Sequence, residues 1–210
     1  MINEKLRRFL VTPSQTDNKK ILYLTGLAGS GKTTIAQSLE GRLGATLIRE
    51  FLDPIPDSVM DTRVDSNYTL KVAAQQWVLG QYRQKNEIVS DMEGNIIVDR
   101  TWIDALVYSQ IYGDDVLKSI STEAGNYDWH LGIYVILFAD EAIIKQRLQH
   151  KFRLTESDWN NSWGLYIKDL RQSVIELATS SNLLALDTSS LSIEEVSDII
   201  EHKFNEHFKK

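Results

Sequence analysis

The chain has no cysteine among its 210 residues, which excludes a disulfide framework and thiolate-held metals and fits a reducing compartment. Proline is scarce, and two of the three, Pro54 and Pro56, fall within 51–66, a stretch that reads as a loop or lid segment. Long apolar runs are missing. The longest, Leu131 to Ala139, is nine residues, against the roughly 18 needed to span a bilayer. The opening MINEKLRRFL mixes acids and bases and has no apolar core of signal-peptide length, so the expectation is a soluble cytoplasmic protein that does not engage a membrane. An excess of positive charge is absent too. With 23 Lys and Arg against 29 Asp and Glu the net charge is −6, which argues against a nucleic acid polymer as partner and leaves room for a local pocket that binds a small anion.

What is present is ordinary globular composition, 42% hydrophobic and 25% charged, in a chain long enough to bury one sizeable core. Short apolar runs alternate with amphipathic stretches, the pattern of an α/β domain with a mostly parallel sheet and helices on both faces. Five strands are expected, at Ile21–Thr25, Thr46–Glu50, Asn95–Asp99, Ile133–Phe138 and Leu183–Leu186. Helices are expected near 32–43, 67–90, 101–112, 140–150, 159–180 and 192–205. Residues 1–10 read as a short amphipathic helix, 12–20 as a polar connector, and 113–130 as a polar insertion of no assigned structure. No interior stretch has linker composition, so residues 1–210 read as a single domain with 1–20 as an N-terminal extension.

Gly26-Leu27-Ala28-Gly29-Ser30-Gly31-Lys32-Thr33 fits G-x-x-x-x-G-K-[ST], between a buried-strand pattern and an amphipathic helix. The spacing matters because glycines let successive backbone N–H groups turn inward around phosphate oxygens at the positive end of the following helix. Lys32 then reaches the terminal phosphates, Thr33 offers its hydroxyl to Mg²⁺, and Thr34 continues the binding edge. A nucleoside triphosphate, ATP or another, with Mg²⁺ is the expected cofactor pair. The run Asn95-Ile96-Ile97-Val98-Asp99 is a second strand ending in an acid, the pattern of a carboxylate that faces the metal of a P-loop site.

Three classes of P-loop protein compete. The length leaves little room for the helical lid domain and sensor elements of an AAA module, and no N-K-x-D tetrad is present to read guanine. A kinase needs an acceptor pocket, a base near the acceptor hydroxyl, and cations that close over the transferred phosphoryl. Glu50 ends the second strand, at the sheet edge where α/β sites lie, and a carboxylate there can take the hydroxyl proton. Gln76 and Arg83, seven apart on one helix, share a face suited to a nucleobase edge. Arg147, Lys151 and Arg153, followed by Glu156, form a basic run suited to a short lid at about 147–158. Taken singly, each also reads as a solvated surface group.

In this order the residues resemble the deoxynucleoside kinase family of the thymidylate-kinase-like P-loop fold, over residues 21–190. The resemblance implies Glu50 as the catalytic carboxylate, although the family's Glu-Pro is Glu50-Phe51 here and Asp53, just before Pro54, is a rival. It implies Gln76 and Arg83 as base-binding residues. In Asp99-Arg100-Thr101 it implies Asp99 as the Mg²⁺ acid and Arg100 as the residue beside the acceptor hydroxyl and phosphates. The lid cations would grip phosphate, Arg153 nearest the chemistry, with Lys151 where Arg is usual, and Glu156 would meet the sugar 3′-hydroxyl. Ala105, six past Asp99, stands where purine- and cytosine-accepting relatives carry an acid, which leans toward pyrimidine deoxynucleosides. The implied activity is ATP-dependent phosphorylation of a deoxynucleoside 5′-hydroxyl, with homodimerisation through helices. Thymidylate-type nucleoside monophosphate kinases share the Asp-Arg pair, usually followed by Tyr rather than Thr101. A non-catalytic or regulatory ATP-binding module is the alternative from another class. Trp159 and Trp163 read as core or subunit contacts, Trp77 and Trp102 as adjoining the site, and Tyr68 as a packing residue near a helix start.

Overall fold

The structure is a computed structural model that describes residues 7–10, 18–60, 67–180 and 183–208. Five strands form one sheet: β1 (Lys19–Gly26), β2 (Thr46–Ile48), β3 (Gly94–Asp99), β4 (Ile133–Phe138) and β5 (Leu184–Asp187). Their order is β2-β3-β1-β4-β5 and every pairing is parallel. The helices between them are α1 (Lys32–Leu43), α2 (Tyr68–Ser90), α3 (Trp102–Gln110), α4 (Asp114–Ala124), α5 (Glu141–Phe152), α6 (Gly164–Ser180) and α7 (Ile193–Phe208).

Alternation along the strands divides the core in two. Ile21 and Tyr23 of β1, with Ile96 and Val98 of β3 and Tyr134 and Ile136 of β4, pack under α2, α3, α4 and α6. Leu22, Leu24, Ile97, Val135 and Leu137 face the other way, onto Ile35, Ala36 and Leu39 of α1 and Val196, Ile200 and Phe204 of α7. A strand buried on both faces must be apolar at every position, which is why β1, β3 and β4 read as continuous runs rather than alternating ones.

Residues 113–130 are not an irregular insertion. Val116, Ile120 and Ala124 are buried at four-residue spacing on α4, and Trp129 is buried beside them, its indole N–H donating to the Ala124 carbonyl at 2.9 Å. The expected helix at 159–180 begins as a π-helical turn, Trp159–Trp163, before α6. Of the expected N-terminal helix, the described part is one 3₁₀ turn, Arg8–Leu10, with Phe9 buried. Residues 61–66 of the proline-bearing segment lie outside the described residues, and Asp57–Met60 forms one helical turn.

Register carries the chain ends of β1, β2 and β3 to one place. Leu24 pairs with Asp99 and Ile48 with Val98, so Glu50, two residues beyond Ile48, comes level with Arg100, two beyond Val98. Strand order reverses at β1, and the crevice at the carboxyl ends beside it is where an open α/β sheet binds its ligand.

Candidate active site

The loop between β1 and α1 is built on three left-handed glycines, Gly26 (φ 124°), Gly29 (φ 77°) and Gly31 (φ 92°). At Gly26 a side chain is excluded twice over, since a Cβ would lie 2.0 Å from the Leu137 carbonyl oxygen. Gly31 caps α1 with no side-chain hydrogen bond, which leaves the first helical N–H groups directed at the loop interior. Lys32 is buried, and its ammonium donates to the Gly26 and Leu27 carbonyls. Burial pushes its pKa down to about 8, with Arg100 adding to the effect and the neighbouring acids opposing it. The loop is braced from outside by Arg147 of α5, whose guanidinium donates to the Gly29 carbonyl at 3.1 Å and the Thr188 carbonyl at 2.9 Å.

Thr33 donates to Asp99 Oδ2 at 2.7 Å, while Asp99 Oδ1 is buried with no hydrogen-bond partner among the described residues. Unpaired buried carboxylate oxygens are costly. A hydroxyl and a free carboxylate oxygen beside a phosphate loop are the donor set a Mg²⁺ ion takes, so these residues fit that ion.

Arg100 adopts φ 69°, unusual for a residue with a side chain. Its guanidinium is ion-paired with Glu50 on one side, and on the other it donates to Asp104 Oδ1 at 3.1 Å and Tyr108 at 3.2 Å. Asp104 is itself 1% exposed and fully engaged. It accepts from the Thr25 hydroxyl at 2.8 Å, the Gly26 N–H at 3.2 Å and the Thr101 N–H at 2.9 Å. This last bond is half of a capping box that starts α3. Burial raises the Glu50 carboxyl, but Arg100, Lys32 and Lys151 outweigh it and hold the group below the ordinary Glu value. Burial holds the Tyr82 and Tyr108 phenols protonated.

These groups line one cavity of about 650 Å³. Its wall includes Ala28 through Thr34, Glu50, Arg100, Arg147 and Lys151, so most of the expected residues come together. Beyond Glu50 the wall becomes apolar and aromatic, with Phe51, Val78, Tyr82, Tyr108, Trp163 and Tyr166 among its residues.

Not all of the expected residues reach the cavity wall. Gln76 and Arg83 lie on the exposed face of α2, Gln76 donating to Glu123 and Arg83 paired with Glu87. The cavity is faced by Gln75 and Tyr82, which keep the seven-residue spacing one position earlier. Gln75 is 4% exposed and its Oε1 has no hydrogen-bond partner among the described residues. Ala105 is in the core, fully buried on α3 three positions before the cavity-lining Tyr108. Glu156, in the turn after α5, is exposed and held by Lys145 at 2.6 Å and Gln149 at 3.0 Å. Arg153 is the exposed left-handed cap that ends α5 and is not among the cavity-lining residues. Asp53 is exposed and off the wall, its carboxylate accepting from Gln81 at 2.9 Å.

The aromatic expectations also divide. Trp163 lines the cavity, whereas Trp159, Trp102 and Trp77 do not, and Tyr68 is 51% exposed. Gln75, Lys85, Asp104 and Tyr108 escaped the sequence reading. The helical period of α2 carried a signal for the first two: buried positions recur at 75, 82 and 89, with Lys85 on the same row. Among the described residues no helix is long and apolar enough to cross a membrane.

Comparison with known proteins places this geometry among P-loop folds. A probable thymidylate kinase from Methanocaldococcus jannaschii is 24% identical over 188 residues, covering 86% of this chain and 92% of that protein. The deoxyadenosine kinase of M. mycoides, solved with dCMP and dCDP, superposes with a TM-score of 0.69 at 17% identity, over 89% of this chain and 99% of that one. Thymidylate kinase from Candida albicans superposes with a TM-score of 0.67 at 15% identity, over 91% and 94%. The five-stranded parallel sheet is therefore the P-loop fold those kinases share. Chain length alone points away from an AAA module, and the family match corrects that expectation. Residues 21–180, from β1 to the end of α6, match the AAA domain family, and the chain belongs to it.

Proposed function

We propose that the protein is an ATP-dependent kinase that phosphorylates the 5′-hydroxyl of a deoxynucleoside; the lean toward pyrimidines rests on Ala105 and falls with its place in the core. The observation that carries this reading is Glu50. It is a carboxylate on the cavity wall, held ionised by Arg100, between a phosphate loop and an aromatic pocket. A P-loop protein that only hydrolyses nucleotide has no need of the pocket beyond it.

The chemistry follows from these positions. The acceptor base enters the apolar end, where Gln75 offers a carboxamide to its edge and the protonated Tyr82 and Tyr108 phenols enclose it. The 5′-hydroxyl reaches Glu50, which takes its proton as the oxygen attacks the terminal phosphorus of ATP. The bond from that phosphorus to the bridging oxygen breaks, releasing ADP. Arg100, fixed by Asp104, holds Glu50 and faces the developing charge. Lys32 and the inward N–H groups of the loop stabilise that charge on the transferring phosphoryl, with Arg147 and Lys151 on the lid side. Mg²⁺ held by Thr33 and Asp99 would supply neutralisation of the phosphate oxygens. Among the aromatic wall residues, Tyr108 accepts from Arg100 at 3.2 Å and Phe152 lies beneath the Lys151 ammonium, so the wall also offers cations that a monophosphate could meet. The thymidylate kinases among the relatives support the second reading, a nucleoside monophosphate kinase.

The Glu50→Gln variant tests the base. Turnover with saturating ATP and acceptor should fall about 10²- to 10⁴-fold while ATP affinity stays unchanged. An undiminished rate would show that Glu50 is not the base.

A further inference from the structure

One buried cation has no part in the scheme above. Lys85 is 1% exposed. Its ammonium donates to four backbone carbonyls, those of Arg49 at 3.2 Å, Glu50 at 3.0 Å, Asp99 at 2.5 Å and Arg100 at 3.0 Å. It forms no ion pair among the described residues, and its nearest aromatic is Tyr82, whose ring centroid lies 4.8 Å away. A buried ammonium without a carboxylate partner is costly to desolvate, and here the four carbonyls it satisfies offset that cost.

What it holds explains its presence. The four carbonyls belong to two segments, the run beyond β2 that carries Glu50 and the end of β3 that carries Asp99 and Arg100. Ladder pairing between these strands stops at Ile48 and Val98, one residue before the segments begin. Beyond that point Lys85 replaces the missing pairing with a single three-donor head set between two rows of acceptors. It stands on α2 in the same buried row as Gln75 and Tyr82, so the cavity wall and both strand ends are tied to one side chain. The Arg100 carbonyl it binds belongs to the residue with φ 69°, a conformation that persists only where its surroundings hold it.

We propose that Lys85 is a positioning residue for phosphoryl transfer, which fixes the Glu50–Arg100 pair against the acceptor wall of α2. The inference rests on the reading of Glu50 as base. It makes the acceptor half of the site depend on Lys85 and leaves the phosphate loop independent of it. Lys19 is the natural control, an ammonium that donates to the Val89 and Ser90 carbonyls at the far end of the same helix.

The test compares Lys85→Met and Lys19→Met in the full chain, each alone and with Glu50→Gln. Lys85→Met should lower kcat about a hundredfold and raise the acceptor KM, because small displacements of reacting groups carry penalties of that size, with ATP affinity unchanged. Lys19→Met should match the wild type. In the Glu50→Gln background Lys85→Met should add little further loss, since both act on one step. Amide hydrogen exchange should rise in 49–53 and 99–104 and stay unchanged in 26–34. Lys85→Gln keeps two N–H donors and should show the same pattern more weakly, which serves if the Met variant does not fold. Loss of ATP affinity in parallel with kcat, multiplicative losses with Glu50→Gln, or exchange that rises equally in 26–34 would overturn the proposal and leave Lys85 a general stabiliser. If the wild type turns over no acceptor, the kinase reading fails by itself, and the exchange pattern still decides whether Lys85 ties these segments.

Discussion

At the scale of single residues, the site is organised around one guanidinium with two acidic neighbours. Arg100 faces Glu50 toward the cavity and Asp104 toward the core. The two carboxylates have different surroundings and so different work. Asp104 has every oxygen engaged by fixed donors, whereas Glu50 is 31% exposed at its side chain and keeps accepting capacity toward a ligand. For Glu50, burial alone would raise the carboxyl, and Arg100 with Lys32 and Lys151 reverses the sign. A base must be unprotonated to act, so the rate should hold its plateau down through the ordinary Glu value of about 4.3. In Arg100→Met the largest opposing charge is gone, burial prevails, and the acidic limb should move to higher pH. Rate profiles for the two proteins between weakly acidic and neutral pH check this. A limb at the same pH in both would mean that Arg100 does not set the state of Glu50.

At the scale of elements, helix phase decided what the sequence could disclose. The phosphate loop was legible in full because its glycines, Lys32 and Thr33 are consecutive, and spacing along a chain survives folding unchanged. Asp99 and Glu50 were legible because strands ending in acids deliver them to one sheet edge. The α2 residues were not. A one-residue error on a helix is a rotation of about 100°, enough to put Gln76 and Arg83 in solvent and Gln75 and Tyr82 in the cavity. Two glutamines in succession, Gln75-Gln76, removed the local cue that would have separated them. Asp104 was hidden for another reason: its value lies in four donors drawn from β1, the loop and α3, which no spacing reveals. Through it α3 starts on the same carboxylate that fixes Gly26. An asparagine there offers one acceptor oxygen and an NH₂ that must face two of those donors. Asp104→Asn should therefore cost about 1–3 kcal/mol of stability, the range for a buried hydrogen-bonding mismatch, read as a lower denaturant midpoint with an unchanged slope. A midpoint equal to the wild type would show that the junction tolerates the mismatch.

At the scale of the whole molecule, a chain with net charge −6 presents its cations to the cavity in a small set: Lys32, Arg100, Arg147 and Lys151. Loop amides carry much of the phosphate binding, so neither the fold nor the site requires a basic surface. The expected five-strand parallel architecture is the one observed, and relatives of the same fold act on nucleosides in one case and on nucleotides in another. The choice between these acceptors falls to the aromatic wall of the cavity, where Arg100 meets Tyr108 and Lys151 meets Phe152. The most direct measurement is acceptor-dependent release of ADP from ATP and Mg²⁺ by the purified chain, against a panel of deoxynucleosides and their monophosphates, with product phosphate located by mass. The account predicts ADP release with deoxynucleosides and a 5′-monophosphate as product. Turnover confined to the monophosphates, or ADP release that no acceptor alters, would contradict it.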